Sequence, residues 1–167
     1  SSPDSKFDFT LGRDKIEVKS TAKDARVHHF SLDQLNPSPN SKLLIASTIV
    51  RESGEAQQGL CIRDLYMRIC SRVIAVNARL KLNSVMAKTI GKDYAKLDSE
   101  FFDYVTASDT LAFYNSQTIP HIDKATVPEF VSGVEFDSDL SHLEDVLHDG
   151  SNFDIQSSPL YKSIFNL

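Results

Sequence analysis

Two short runs of alternating apolar and polar residues meet at Gly12-Arg13 in the stretch KFDFTLGRDKIEVKST, residues 6–21. Gly at the first of two turn positions predicts a type II′ hairpin, whose twist matches that of its strands. With Gly12 and Arg13 as the turn, Thr10 faces Lys15, Phe9 faces Ile16 and Asp8 faces Glu17. Side chains alternate between the two faces of a strand. Phe7, Phe9, Ile16 and Val18 are therefore expected on a core face, and Asp8, Glu17 and Lys19 on the other. Directly opposed side chains have Cβ atoms about 4.5–5.5 Å apart. Two carboxylates that close repel unless a cation lies between them or one is protonated. The arrangement is that of a divalent-metal site with a lysine beside it, although many such hairpins simply carry a solvated charged face. The literal Pro3-Asp4 offers another acid, but four residues of strand place Asp4 about 13 Å from Asp8, too far to share a metal with Glu17.

The 167 residues suffice for one domain with a real core, and 41% apolar and 25% charged residues are ordinary for a soluble globular protein. No apolar run approaches the length of a membrane helix, and no signal peptide is read before the hairpin. Cys61 and Cys70 have no metal-ligand spacing with each other or with the five histidines. Structural thiols in a reducing, cytoplasmic setting are expected. The net charge of −5 is unevenly distributed: residues 1–96 hold 16 Lys and Arg against 10 Asp and Glu, and residues 97–167 hold 2 against 13. Such asymmetry points to a nucleic-acid surface in the first part and an acidic tail that avoids it.

Further along, Arg26–Phe30 reads as a strand, with His28 and His29 on opposite faces. Ser31 is a good N-cap for a short helix carrying Gln34. Leu43–Val50 is nearly continuous in apolar and small residues, as in a central strand covered on both faces. Ile62, Leu65, Tyr66, Ile69, Cys70, Val73 and Ile74 recur at helical spacing, predicting a helix to about Val76 with its stripe in the core. A second helix ends at Gly91. Leu97–Val105 is ambiguous, and Leu111–Asn115 reads as a strand. Val134–Leu140 alternates, with Glu135, Asp137 and Asp139 as a row that fits a solvated edge better than a cation site.

Asp8, eight intervening residues and then Glu17-Val18-Lys19 resemble the PD-(D/E)xK nuclease signature. Three ordered blocks extend the resemblance: FDF…IEVKST, HHFSLDQL with the apolar strand, and LAFYNSQTIPHIDKATVPEFVSGVEFDSDLS. Together they resemble PD-(D/E)xK motif proteins of bacterial defence and restriction clusters. The resemblance implies an α/β fold: a mixed sheet flanked by helices, a restriction-endonuclease-like core. It implies a nuclease-like domain over residues 1–141, with the opening part of the core lying outside this chain, and an acidic peripheral segment over 142–167. It also implies Mg²⁺-dependent phosphodiester hydrolysis, with Mn²⁺ as a substitute. Asp8, Glu17 and the Val18 carbonyl would hold the metal, Lys19 would act on water, and Gln34 and Ser20 would contact phosphate. The implied partner is nucleic acid, double-stranded DNA above RNA. Duplex cleavage needs two sites, hence a homodimer or a protein partner in a defence complex, with no membrane involved. The competing expectation is a nuclease-like binding or assembly subunit without turnover.

Overall fold

The computed structural model describes residues 6–54, 59–148 and 153–165; Asp4 lies outside them. In chain order the elements are β1 (Phe9–Leu11), β2 (Asp14–Thr21), β3 (Val27–Ser31), α1 (Leu32–Leu35), β4 (Lys42–Ile49), β5 (Leu60–Cys61), α2 (Ile62–Arg72), α3 (Val76–Ile90), β6 (Phe101–Phe102), α4 (Tyr104–Asp109), β7 (Ala112–Asn115), β8 (Glu135–Asp139) and α5 (Pro159–Phe165). They fall into two units, one of residues 1–49 with 110–167 and one of residues 50–109. The expected nuclease-like domain over residues 1–141 therefore takes in the whole of the second unit and part of the first.

The first unit is built on a four-stranded mixed sheet in the order β1-β2-β4-β7. β1 pairs antiparallel with β2 in the expected register, Phe9 opposite Ile16 and Thr10 opposite Lys15. Gly12 has φ +60°, whereas Arg13 is not a positive-φ residue; this distinguishes a type II′ turn from type I′, which needs both. β2 and β4 run parallel, with Ile16 beside Leu44 and Glu17 beside Ile45. β7 closes the other edge antiparallel to β4.

Period-two alternation gives this sheet two cores. Leu43 and Ile45 join Phe7, Phe30, Leu35, Tyr114, Ile119 and Leu140 on one side. There β3 and β8 form a separate antiparallel ribbon, followed by α1. Ile16, Leu44 and Ala46 join Phe113, Val146 and Tyr161 on the other side, where α5 packs. Leu43, Leu44 and Ile45 are at most 1% exposed, and full burial stabilises by roughly 1.5–3 kcal/mol for each such side chain. That is why the apolar run forms the central strand.

Two expectations change here. Phe9 and Val18 are exposed, and Phe7 packs in the core opposite to that of Ile16. The reason is that β1 begins only at Phe9; residues 6–8 bend, so strand alternation does not carry back to Phe7. Residues 142–167, expected to be peripheral, place Val146 and Tyr161 in the second core, with Tyr161 fully buried. The apolar content of that segment outweighs its acidity.

In the second unit β5 pairs with β6, and α2 and α3 follow one another with a break at residues 73–75. Gly91, at φ +53°, ends α3 as expected. Neither helix contains a fully buried residue, so their apolar stripes do not form the expected core. A stripe marks the face that seeks a partner, and a unit of this size has little interior to offer it. Among the described residues, no helix is long and apolar enough to cross a membrane.

Candidate active site

β2 presents Glu17 and Lys19 on the Phe30 side of the sheet, two residues apart and therefore on one face. Lys19 Nζ lies 3.0 Å from Glu17 Oε1 and 4.9 Å from the centre of the Phe30 ring. Gln34 reaches across from α1. Its Nε2 donates to Glu17 Oε1 at 2.5 Å, and its Oε1 accepts from Lys19 Nζ at 3.3 Å and from the Ser31 N–H at 3.1 Å. The Ser31 contact is one half of a capping box, so the same amide starts the helix and holds the acid.

Asp8 lies in the bend before β1, where its Oδ2 accepts the Val18 N–H at 2.8 Å. The N–H and C=O of one strand residue point to the same side, so the Val18 carbonyl shares the strand edge that Asp8 occupies. The Asp8 backbone N–H in turn bonds the Glu17 carboxylate. Asp8, Glu17, Val18, Lys19 and Gln34 are thus brought together. Ser20 is not: it lies on the opposite face of β2 and is exposed, because one residue of strand reverses the face.

Glu17 is only 6% exposed. Burial pushes its pKa up from the ordinary value, and the nearby Asp8 charge adds to the rise; the Lys19 contact and the Asp8 N–H pull it back without cancelling the shift. Asp8 and Glu17 are electrostatically coupled carboxylates, and both are hard oxygen donors. Among the described residues, no group of three or more His, Cys, Asp or Glu is arranged to hold a metal.

A second polar cluster lies beside this one. His28 Nε2 is 2.8 Å from Ser47 Oγ, and Arg26 Nη1 donates to the Ser47 Oγ and carbonyl, each at 2.9 Å. Ser47 pairs in register with Lys19. Burial, then Lys19 and Arg26, hold the His28 pKa below its ordinary value. The direction of the His28–Ser47 hydrogen bond is set by the tautomer of the ring. Arg26 and Ser47 were not singled out from sequence. The available signal was a serine inside the mostly apolar run LLIASTIV, since a buried hydroxyl requires a partner. A cavity of about 360 Å³ lies elsewhere, lined by Lys42, Asn115, Gln117, Phe153 and Asp154 among others. It includes none of the site's carboxylates.

A mixed sheet flanked by helices is the architecture of restriction-endonuclease-like α/β proteins. A family model described as "Putative PD-(D/E)XK family member, (DUF4420)" matches residues 1–141. The chain belongs to this family, and with it to the PD-(D/E)xK nuclease superfamily. No curated protein and no solved structure matches the chain.

Proposed function

We propose that the protein is a metal-dependent nuclease that hydrolyses phosphodiester bonds, of DNA in preference to RNA, within a bacterial restriction or anti-phage defence system. The observation that carries the reading is the convergence of Asp8, Glu17 and Lys19 along β2, inside a family of nuclease type. Asp8, Glu17 and the Val18 carbonyl are the residues that would hold Mg²⁺ or Mn²⁺. A divalent cation supplies Lewis-acid charge that acidifies water and offsets negative charge on the transferred phosphoryl group. Lys19 orients the attacking water and stabilises developing negative charge. Gln34 fixes the Glu17 carboxylate and keeps a second amide N–H for a phosphate oxygen. The defence setting rests on the three sequence blocks, and duplex cleavage would require a second copy or a partner subunit.

Calorimetric titration of Mg²⁺ and Mn²⁺ tests the site, comparing the wild type with Asp8→Ala/Glu17→Ala. Binding lost in the double variant, together with cleavage lost in Lys19→Ala, is the expected result. The alternative is a nuclease-like assembly subunit without turnover. One observation favours it: Glu17 Oε1 is already engaged by both Lys19 and Gln34. An absence of metal binding in the wild type, with stable co-purification of a partner protein, would establish that reading instead.

A further inference from the structure

The positive charge of the first 96 residues is concentrated outside the site just described. Residues 62–92 hold seven Lys and Arg against a single acid, Asp64. Three of these cations have structural work: Arg63 binds Asp98 through two nitrogens, Arg68 lies over the Tyr104 ring, and Arg79 Nε donates to the Val73 carbonyl. Arg72, Lys81, Lys88 and Lys92 form no ion pair among the described residues.

The sequence of α3, VNARLKLNSVMAKTI, contains no acidic residue. Leu82, Met86 and Ile90 are its half-buried positions, four apart. Asn77, Lys81, Ser84 and Lys88 recur at four, three and four on the outward side, and all are exposed. Lys81 and Lys88 are two turns apart, about 10 Å along the axis. Exposed helices ordinarily offset lysines with glutamates at i,i+4, and unbalanced like charge is mildly destabilising. Nothing packs on this stripe to compensate within the unit as described. Its four side chains are all hydrogen-bond donors of the kinds that bind phosphate oxygens, and an apolar protein surface would find no matching face along it.

We infer that the Asn77-Lys81-Ser84-Lys88 stripe of α3 is a contact surface for the phosphate backbone of nucleic acid. The inference rests on the nuclease reading above and assigns a place where the substrate's backbone is held.

The test is fluorescence anisotropy of the full chain with short labelled duplex DNA and RNA, with Ca²⁺ replacing Mg²⁺, from about 50 to 200 mM salt. Each lost phosphate contact lowers the slope of log K against log[salt] by about 1, so Lys81→Gln/Lys88→Gln should lower its magnitude by about 2. Circular dichroism of the variant should be unchanged, as both side chains are exposed. Asp8→Asn should lose cleavage and keep the wild-type slope. A wild-type slope retained in Lys81→Gln/Lys88→Gln would overturn the surface and leave the nuclease reading standing. A wild type that binds neither duplex, yet needs Lys81 and Lys88 for retention on polyglutamate or anionic vesicles, would overturn both.

Discussion

Lys19 Nζ stands 3.0 Å from Glu17 Oε1 on the same strand, and the acid it faces is nearly buried. The pair is lopsided, because burial raises the Glu17 pKa by more than the lysine lowers it. A carboxylate holds a cation only when ionised. Metal-dependent cleavage should therefore fail on acidification with a midpoint above 4.5, the ordinary value for Glu. A pH profile of single-turnover cleavage at metal concentrations well below saturation measures this, because a bound cation itself favours the ionised acid. For stability the sign runs the other way. A raised folded-state pKa means that the protonated acid favours folding, a contribution present below 4.5 and lost as pH rises through the folded value.

Gln34 ties the acid to the first turn of α1 through Glu17 Oε1, Lys19 Nζ and the Ser31 N–H. Gln34→Leu removes all three contacts and leaves Glu17 short of a donor. An unsatisfied buried group costs about 1–3 kcal/mol, more when charged. The acid limb of the cleavage profile should move further up in pH, with a loss in kcat exceeding any change in KM. Gln34→Glu should be worse still, because it sets a third carboxylate against Glu17. An acid limb unmoved in Gln34→Leu would show that Gln34 has no part in setting the charge state.

The parts of this arrangement that sequence exposes are those with a strict local rule. Gly12 fixes the turn, the turn fixes the register, and the register places Glu17 and Lys19 together. Asp8 comes near β2 by a different route from the one alternation implies. It does not pair across the hairpin as a strand residue but reaches Val18 from a bend, a conformation that alternation does not describe. The same period-two rule puts Ser20 on the face of β2 opposite Lys19. The Ser47, His28 and Arg26 cluster spans three strand or loop positions far apart in sequence. Periodicity reports which face a residue takes, not which distant residue meets it. The stripes of α2 and α3 were legible as helices, but burial depends on how much partner surface the second unit supplies, which spacing does not reveal.

The acidic row on β8 is a solvated edge with one cation set against it. His29 lies opposite Asp137, its Nδ1 3.0 Å from Asp137 Oδ1 and its Nε2 3.2 Å from Glu135 Oε2. These hydrogen bonds raise its pKa above the ordinary 6.5. A raised histidine pKa contributes stability that is present in full below the unfolded value and lost as pH rises through the folded one. His29→Gln should therefore lower Tm at pH below 6.5 and match the wild type at alkaline pH. Added salt should shrink the difference, since all three groups are solvent-exposed. A difference of equal size at both ends of the range would assign His29 a packing role instead.

Tyr161 carries the last prediction, because it decides whether the acidic C-terminal segment is an appendage or part of the fold. Its ring is fully buried against Phe153, with centroids 5.4 Å apart, in the core that includes Ile16 and Leu44. Its hydroxyl donates to the Lys42 carbonyl at 2.9 Å, joining α5 to the start of β4. Burial drives the phenol pKa upward, so the group remains a donor throughout the physiological range. Tyr161→Phe keeps the ring and removes the donor, which should cost about 0.5–1.5 kcal/mol. Tyr161→Ala also opens a cavity, and loss of a buried aromatic costs about 3–5 kcal/mol. Urea denaturation separates the two cases: the midpoint should fall modestly for Phe and steeply for Ala, with m unchanged in the first. Equal small shifts for both would mean that α5 leaves the sheet at little cost, and that the nuclease-like core ends before it.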